Sequence, residues 1–438
     1  MNKYTIILFG ATGNLAKRKL IPSLYSLLRH NKDLDFLIIG AAKDKNNTSD
    51  ILKKAKEHLI EYDEVSWKNF EKKFYYKQLD FENLQDYISL EKFVSKLEKS
   101  PKRIIYLSAP TDFFCGITQN LADSKIAIKN ADHRIAYEKP FGWDLKSCKE
   151  INKCIKKNFS ESQIFRIDHY LTKAIVTNIS IIRFVNTIFE PTWNNKYIDH
   201  IEISLSETIG IENRGKFYDK YGALKDVFQN HILQILSLIT IDKPKTDTQK
   251  DFAKEKLKIF KKLVIKDGIL GQYDGYKNES DVSKNSKTET YVFLKAHINT
   301  KRWNGVNFYL TTGKKLSQQK ALAKIVYKAD KYHPNVLTIA ISPDSGFILQ
   351  LNAQKSDDKK IFPISMDFCY RCLLGPDSPH SYEVLLKEII DNNHNISVSS
   401  DVIEQAWKII EKIKKMKLPL VIYKPNTQGP RLKETEII

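Results

Sequence analysis

The sequence predicts an α/β domain built on a doubly wound parallel sheet, followed by an α+β domain whose large, mainly antiparallel sheet packs on helices. The first domain is predicted because strand-like and helix-like segments alternate through the first third of the chain. The second is predicted because several segments of alternating apolar and polar residues follow residue 170. The chain has 438 residues, and domains average roughly 150 residues, so more than one core is expected. We place one domain over residues 1–170 and the other over residues 171–438.

Five apolar, β-rich segments define the first domain, at residues 4–9, 36–39, 104–107, 135–137 and 163–167. The first of them meets Gly10 and Gly13 and is followed by leucines at helical spacing over residues 18–29. Helix candidates also separate the later strands. This order predicts a Rossmann-type sheet with helices on both faces.

The second domain is predicted to begin with a helix over residues 170–185. Alternating strand patterns then occupy residues 198–206, 290–298 and 306–310. Residues 226–239 form a further apolar helix candidate, and the polar segment 277–287 reads as a loop. These segments predict an antiparallel sheet packed against helices.

The charge balance favours anionic partners without identifying nucleic acid. Lys and Arg number 71 against 52 Asp and Glu, a difference of +19. Most of the excess is lysine spread along the chain, and no element combines clustered basic and aromatic residues. We therefore expect no nucleic-acid partner.

Composition also bears on location. No apolar stretch approaches the roughly 18 residues of a membrane span, and no signal-peptide pattern precedes the first strand. We expect a cytoplasmic protein without a membrane partner. The five cysteines are odd in number and scattered, so reduced thiols are expected. Cys369 and Cys372 form one CxxC pair with no second pair nearby, so no metal site is predicted.

A polar cluster stands out in the segment RIDHYL. Asp168, His169 and Tyr170 lie side by side between apolar stretches, where polar groups need partners. Lys173 follows His169 by four residues, which on a helix would place both on one face. A second polar segment, DVFQNH, ends at His231. The cluster is a candidate active site, although buried structural polar residues are the alternative.

The segment GATGNLAKRK, residues 10–19, follows the first strand as a phosphate-binding turn would. Gly10 and Gly13 permit a tight turn and a close approach of the backbone to a ligand. The spacing is GxxG rather than GxGxxG, so an ordinary strand-to-helix turn remains the alternative. At the end of the second strand, Lys43 favours NADP, while the adjacent Asp44 leaves some use of NAD open.

Taken together, these segments resemble glucose-6-phosphate dehydrogenases. The segments that carry the resemblance occur in the family's order and include GATGNLAKRKLIPSLY, YEKPFGWDL, RIDHYLTK and RGKFYDKYGALKDVFQNHILQ. The similarity extends to about residue 390. It implies oxidation of D-glucose 6-phosphate at C1 to 6-phospho-D-glucono-1,5-lactone, with hydride transfer to NADP. It also implies a homodimer, formed through the C-terminal sheet, or a dimer of dimers.

The resemblance assigns roles to individual residues. The family's general base matches His231, and the carboxylate that orients it matches Asp168. This chemistry is reasonable, because an imidazole exchanges protons near neutral pH and an adjacent carboxylate stabilises its charged form. Residues implied to bind the substrate are His169, Tyr170 and Lys173 at its phosphate, and Glu207, Asp226, Lys314 and Lys139 around the sugar. Asp226 and His231 are five apart, about 140° around a helix at roughly 100° per residue.

The implied cofactor-binding set lies at the ends of the first strands. It consists of Gly10, Thr12, Gly13, Asn14, Leu15, Lys19, Lys43, Pro110 and Lys139. Lys139, in the motif EKP, would lie between substrate and coenzyme. The Lys139–Pro140 bond is a candidate cis peptide, with a simple turn as the default interpretation.

Some positions depart from the family pattern. Asn14, Lys43, Thr172, Ala174, Thr311 and Gln319 replace the family's usual residues and are candidate points of weaker binding. The ending IYKPNTQGPRLK is only loosely similar to the family's, so we do not predict a second, structural NADP site.

Two other functions stay open on the sequence. One is an NADP-linked sugar dehydrogenase of the glucose-fructose oxidoreductase type, which can also carry an EKP motif after a Rossmann sheet. The other is a noncatalytic polyanion-binding protein, motivated by the +19 charge.

Overall fold

The computed structural model describes residues 2–432 except 99, 355, 357–359, 371 and 373–380. The chain forms two compact units. One consists of Met1–Thr172 with Pro379–Ser400, and the other of Lys173–Ser378 with Asp401–Ile438. Within the described residues, no helix is long and apolar enough to cross a membrane.

The N-terminal unit contains a six-stranded sheet in which every paired strand is parallel. Its strands are β1 (Asn2–Phe9), β2 (Leu34–Ala42), β3 (Phe74–Gln78), β4 (Arg103–Leu107), β5 (His133–Tyr137) and β6 (Ile164–Arg166). The order β3-β2-β1-β4-β5-β6 is that of a Rossmann fold, so the predicted fold class is confirmed. The sequence analysis missed β3.

Six helices connect these strands: α1 (Ile21–His30), α2 (Thr48–Lys56), α3 (Glu64–Glu71), α4 (Leu84–Leu97), α5 (Phe114–Asp123) and α6 (Leu145–Asn158). A π-helical turn, Ala16–Leu20, precedes α1. Apolar residues of β1, β2 and β4 form one core with α1, α2 and α3. That core holds the ends of the parallel strands in place.

The C-terminal unit contains a nine-stranded mixed sheet in the order β14-β13-β12-β11-β7-β10-β9-β8-β15. The strands are β7 (Ile198–Ser206), β8 (Leu263–Tyr273), β9 (Tyr291–Ile298), β10 (Asn307–Gly313), β11 (Lys320–Tyr327), β12 (Val336–Ser342), β13 (Gly346–Gln354), β14 (Ile361–Cys369) and β15 (Leu420–Tyr423). All pairs are antiparallel except β7 with β10 and β8 with β15. The predicted, mainly antiparallel sheet is therefore confirmed.

Helices accompany this sheet: α7 (Ala174–Val185), α8 (Gly215–Ala223), α9 (Leu233–Thr240) and α10 (Gln249–Lys262). The helix predicted from residue 170 begins four residues later, because residues 169–172 form a turn. The helix predicted over residues 226–239 is divided between a π-helical segment, Leu224–Ile232, and α9.

A later helix, α11 (Ser381–Ile390), lies in the N-terminal unit, before α12 (Ser400–Lys415). Leu385, Leu386 and Ile389 are buried in the same core as β1 and α1. The Ser26 hydroxyl also donates to Glu383 at 2.7 Å. The structure therefore differs from the predicted domain over residues 171–438, since the described residues 381–400 belong to the N-terminal unit.

The prediction of reduced cysteines is wrong for one pair. Cys369 and Cys372 form a disulfide, with Cα atoms 5.2 Å apart, a separation that such a bond spans readily. Cys115, Cys148 and Cys154 are not in disulfides, as predicted.

Candidate active site

The predicted phosphate-binding turn follows β1 and depends on Gly10. This residue has φ +79°, and a Cβ atom there would lie 2.1 Å from the Ser108 carbonyl oxygen. The Gly10 amide donates to the Ala41 carbonyl at 2.7 Å, and the Gly13 amide to the Gly10 carbonyl at 2.9 Å. The turn brings the backbone close to neighbouring strand ends and leads into a helix, as an anion-binding turn requires. Thr12 lies on this turn, Asn14 and Leu15 begin the helix that follows it, and Lys19 is exposed one turn further on.

Lys43 lies just beyond β2 and already has a carboxylate partner. Its ammonium group is 3.0 Å from Asp80, whose hydrogen bond raises the pKa of Lys43. The Thr12 hydroxyl donates to the neighbouring Asp44. A 2′-phosphate would therefore compete with Asp80 for the cation. The sequence did not indicate Asp80 because β3, the strand before it, was missed.

Lys139 follows β5 at the same edge of the sheet. The Lys139–Pro140 bond, a candidate cis peptide on the sequence, is cis. The segment that follows β4 contacts the segment that follows β5, where the Thr111 hydroxyl donates to the Pro140 carbonyl at 2.7 Å. Pro110 directly precedes Thr111, so the two predicted cofactor positions Pro110 and Lys139 follow adjacent parallel strands.

The RIDHYL segment ends β6 in a tight turn. Asp168 is buried, and its carboxylate accepts from the Tyr170 amide at 3.0 Å. The Leu171 amide donates to the Asp168 carbonyl at 3.0 Å. This turn corrects our helical argument for His169 and Lys173, since neither residue lies in a helix: α7 begins only at Ala174.

Thr172, one of the departures from the family pattern, stabilises this turn. Its hydroxyl donates to the His169 carbonyl at 2.8 Å, and its side chain is buried. Lys173 follows as the first residue of the C-terminal unit. Burial lowers the pKa of its ammonium group.

In the C-terminal unit, Glu207 and Lys314 follow two adjacent strands. Because β7 and β10 run parallel with Ser206 opposite Gly313, the residues after them meet at one sheet edge. The Lys314 ammonium lies 2.5 Å from the Glu207 carboxylate, and the Glu207 amide donates to Gly313 at 2.9 Å. Lys314 is almost completely buried, whereas Glu207 is partly exposed.

Asp226 belongs to the same unit and pairs with Arg214, its guanidinium 2.9 Å from the carboxylate. Tyr218 connects this pair with Lys314, whose ammonium lies 5.4 Å from the centre of the Tyr218 ring. Burial raises the pKa of the Tyr218 hydroxyl, and the negative charge of Asp226 raises it further. The sequence analysis did not predict Arg214 or Tyr218, although both stand in the segment RGKFYDKY.

The predicted angle between Asp226 and His231 is wrong. Both residues lie in the π-helical segment Leu224–Ile232, where hydrogen bonds join residues five apart. Such residues are about one turn apart, so these two positions lie near the same face rather than about 140° apart. His231 is buried, and its amide donates to Asn230 Oδ1 at 2.6 Å.

Each unit thus gathers part of the predicted set. The N-terminal unit places the glycine turn, Lys43, Pro110, Lys139 and RIDHYL at the carboxyl ends of its parallel strands. The C-terminal unit gathers Glu207, Asp226 and Lys314.

Two family models match this chain in succession. One describes the NAD-binding domain of glucose-6-phosphate dehydrogenase and matches residues 7–178. The other describes the C-terminal domain of glucose-6-phosphate dehydrogenase and matches residues 180–437. The chain belongs to the glucose-6-phosphate dehydrogenase family.

Curated glucose-6-phosphate 1-dehydrogenases are similar to this chain along most of its length. The chain is 36% identical to the glucose-6-phosphate 1-dehydrogenase of Chlamydia pneumoniae, over 93% of this chain and 88% of the relative. It is 34% identical to the glucose-6-phosphate 1-dehydrogenase of Bacillus subtilis (strain 168), over 94% of this chain and 91% of the relative.

Solved structures give the same result. A glucose-6-phosphate dehydrogenase in complex with glucose 6-phosphate is 29% identical and has a TM-score of 0.90, covering 98% of this chain and 95% of that one. The Mycobacterium avium enzyme is 30% identical with a TM-score of 0.87, covering 97% and 94%. A levoglucosan dehydrogenase, 10% identical with a TM-score of 0.54, shares the fold alone.

Proposed function

We propose that this protein oxidises D-glucose 6-phosphate at C1 to 6-phospho-D-glucono-1,5-lactone and transfers the hydride to NADP. As a member of its family, the chain is an NADP-dependent oxidoreductase acting on a CH–OH group. The observation that carries the proposal is the match to both family models along almost the whole chain, with the implied catalytic and binding residues present.

The N-terminal unit fits the cofactor. At Gly10 the close approach of Ser108 leaves no room for a side chain, so the turn stays tight where it leads into a helix, the place where phosphates bind. We propose that the turn from Gly10 to Leu15, with Lys19, holds the pyrophosphate, and that Lys43 faces the 2′-phosphate. Pro110 and Lys139 would border the nicotinamide end. NADP, when bound, supplies the hydride acceptor.

We propose His231 as the general base that accepts the proton of the C1 hydroxyl group. Asp168 would orient its imidazole and stabilise the charge that the ring gains. Both side chains are buried, which supports a role for this pair away from bulk water.

The substrate's two polar ends require different groups. His169, Tyr170 and Lys173 supply the donors that a phosphate needs, and we propose that they bind it. Glu207 and Asp226 accept from sugar hydroxyls, while Lys314 donates to them. The Glu207–Lys314 ion pair supports this assignment, because it presents a donor and an acceptor side by side.

The first experiment measures NADP reduction on adding glucose 6-phosphate to the full-length protein. We expect His231→Asn to lower kcat by about 10³-fold or more, with KM changed by less than about threefold. His297→Asn, a control on β9 whose ring pairs with Asn307, should stay within about twofold of wild type. Undiminished turnover in His231→Asn would remove this residue as the base.

Substrate choice separates the alternatives. Preference for unphosphorylated glucose would contradict the phosphate role of His169, Tyr170 and Lys173. It would favour the other sugar-dehydrogenase class instead. Salt-sensitive retention on nucleic acid without any turnover would favour a polyanion-binding protein.

We also propose that the protein forms a homodimer through β14. One face of this edge strand carries Phe362, Ile364, Met366 and Phe368, all of them exposed apolar side chains. Such a stripe on an open sheet edge is typical of a contact surface. The cytoplasmic location and a dimer of dimers stay predictions.

A further inference from the structure

Glu138 lies at the end of β5, directly before Lys139, and its carboxyl group is buried. The Tyr106 hydroxyl donates to Glu138 Oε1 at 2.5 Å. The Tyr382 hydroxyl and the Lys139 backbone amide also donate to it. One carboxyl group thereby joins β4, the EKP motif and α11.

Tyr382 contacts a second part of the proposed site. Its ring lies nearly parallel to the His169 imidazole, at an interplanar angle of 14° with ring centres 6.3 Å apart. The Asp168 carboxylate is close enough to contribute to the raised pKa of Tyr382, after burial and Glu138. Tyr382 therefore lies between Lys139 and the RIDHYL turn within the N-terminal unit.

The core of the N-terminal unit fixes the position of Tyr382. Leu385 and Leu386 of α11 are buried among residues of β1 and α1. At the C-terminal end of α11, the Tyr4 hydroxyl donates to the Ile390 carbonyl at 3.3 Å. A helix packed along its middle and bonded at its C-terminal end has little freedom to move its first-turn tyrosine.

We propose that Tyr382 is a positioning residue, which sets Lys139 through its hydrogen bond to Glu138 and sets the imidazole of His169 through its ring. The inference rests on the proposed function, in which these two residues meet substrate and coenzyme. The hydroxyl and the ring act on different groups, so their removal has separable effects.

Steady-state kinetics of Tyr382→Phe and Tyr382→Leu test the two contributions. We expect Tyr382→Phe to lower kcat about three- to tenfold and to leave KM for glucose 6-phosphate within about twofold. Tyr382→Leu should in addition raise that KM about three- to tenfold, because the ring no longer supports His169. With unphosphorylated glucose, the Leu and Phe variants should have equal kcat/KM.

Two matched variants serve as controls. Tyr106→Phe removes the other hydroxyl from Glu138 and should lower kcat as Tyr382→Phe does, without changing KM. Tyr62→Phe removes a partly exposed hydroxyl that accepts from Lys56 at 3.0 Å and should change neither constant.

Equal KM values for glucose 6-phosphate in Tyr382→Leu and Tyr382→Phe would overturn the role of the ring. Wild-type kcat in Tyr382→Phe would overturn the role of the hydroxyl, and this comparison stands even if the Leu variant does not fold. If the wild-type protein reduces no NADP, the proposed function fails. Calorimetric binding of glucose 6-phosphate to the same variants would then still test Tyr382, with weaker binding by the Leu variant than by the Phe variant as the expected result.

Discussion

At the residue scale, Thr172 and Gly10 show how the identity of one residue determines the local backbone conformation. Thr172 departs from the family pattern, and its hydroxyl donates to the His169 carbonyl while its side chain is buried. The turn before α7 therefore accommodates this departure. Gly10 is the opposite case, since its φ of +79° and the contact with Ser108 exclude any side chain.

Gly10→Ala should destabilise the protein by about 1–3 kcal/mol, because the added methyl group meets a backbone oxygen in a conformation that L-residues avoid. It should also raise KM for NADP. Gly116→Ala is the control, because a Cβ atom there meets nothing within 4 Å in the helix α5. That variant should be unchanged or more stable by up to about 1 kcal/mol. Urea unfolding measures both, and equal stability in the two variants would contradict the steric argument.

At the element scale, the main departures from sequence expectation concern helices. The π-helical hydrogen bonds of Leu224–Ile232 place Asp226 and His231 near one face, where ordinary helical spacing separates them. Helix α11 packs in the N-terminal unit although the chain reaches it only after β14. Its apolar residues are buried in one core with residues of β1, β2 and α1.

Leu385→Ala should lower the free energy of unfolding by about 2–5 kcal/mol, because it leaves a cavity in that core. Hydrogen exchange should accelerate in β1 and β2, while amides of β9 change little, because β9 belongs to the other unit. Val185→Ala, at a position 67% exposed, is the control. Faster exchange confined to the C-terminal unit would contradict the assignment of α11.

At the scale of the whole molecule, the two units divide the proposed chemistry. The parallel sheet supplies the cofactor turn and RIDHYL, and the mixed sheet supplies the sugar-binding groups at the ends of β7 and β10. The mixed sheet also exposes the apolar stripe of β14, on which the proposed dimer depends.

Met366→Lys should convert a dimer to monomers, since it places a charge in the centre of that stripe, where Met366 is 59% exposed. Sedimentation velocity gives the mass directly. Ile60→Lys changes an apolar residue of the N-terminal unit that is 73% exposed, and it should leave the assembly unchanged. A dimer that persists in Met366→Lys would exclude this strand as the contact.

The sequence by itself determined the features that local pattern controls: five of the six parallel strands, the strands β7, β9 and β10 of the mixed sheet, the glycine turn and the family. It also identified the bond before Pro140 as a candidate cis peptide. Only the tertiary structure decided which distant groups meet. It placed Asp80, after β3, beside Lys43, after β2, and it placed Arg214 beside Asp226. It also brought the Tyr382 hydroxyl into hydrogen-bonding distance of Glu138. The reason is physical: periodicity and turn chemistry act over a few residues, whereas contacts such as Ser26 with Glu383, 357 residues apart, arise only when a shared core folds.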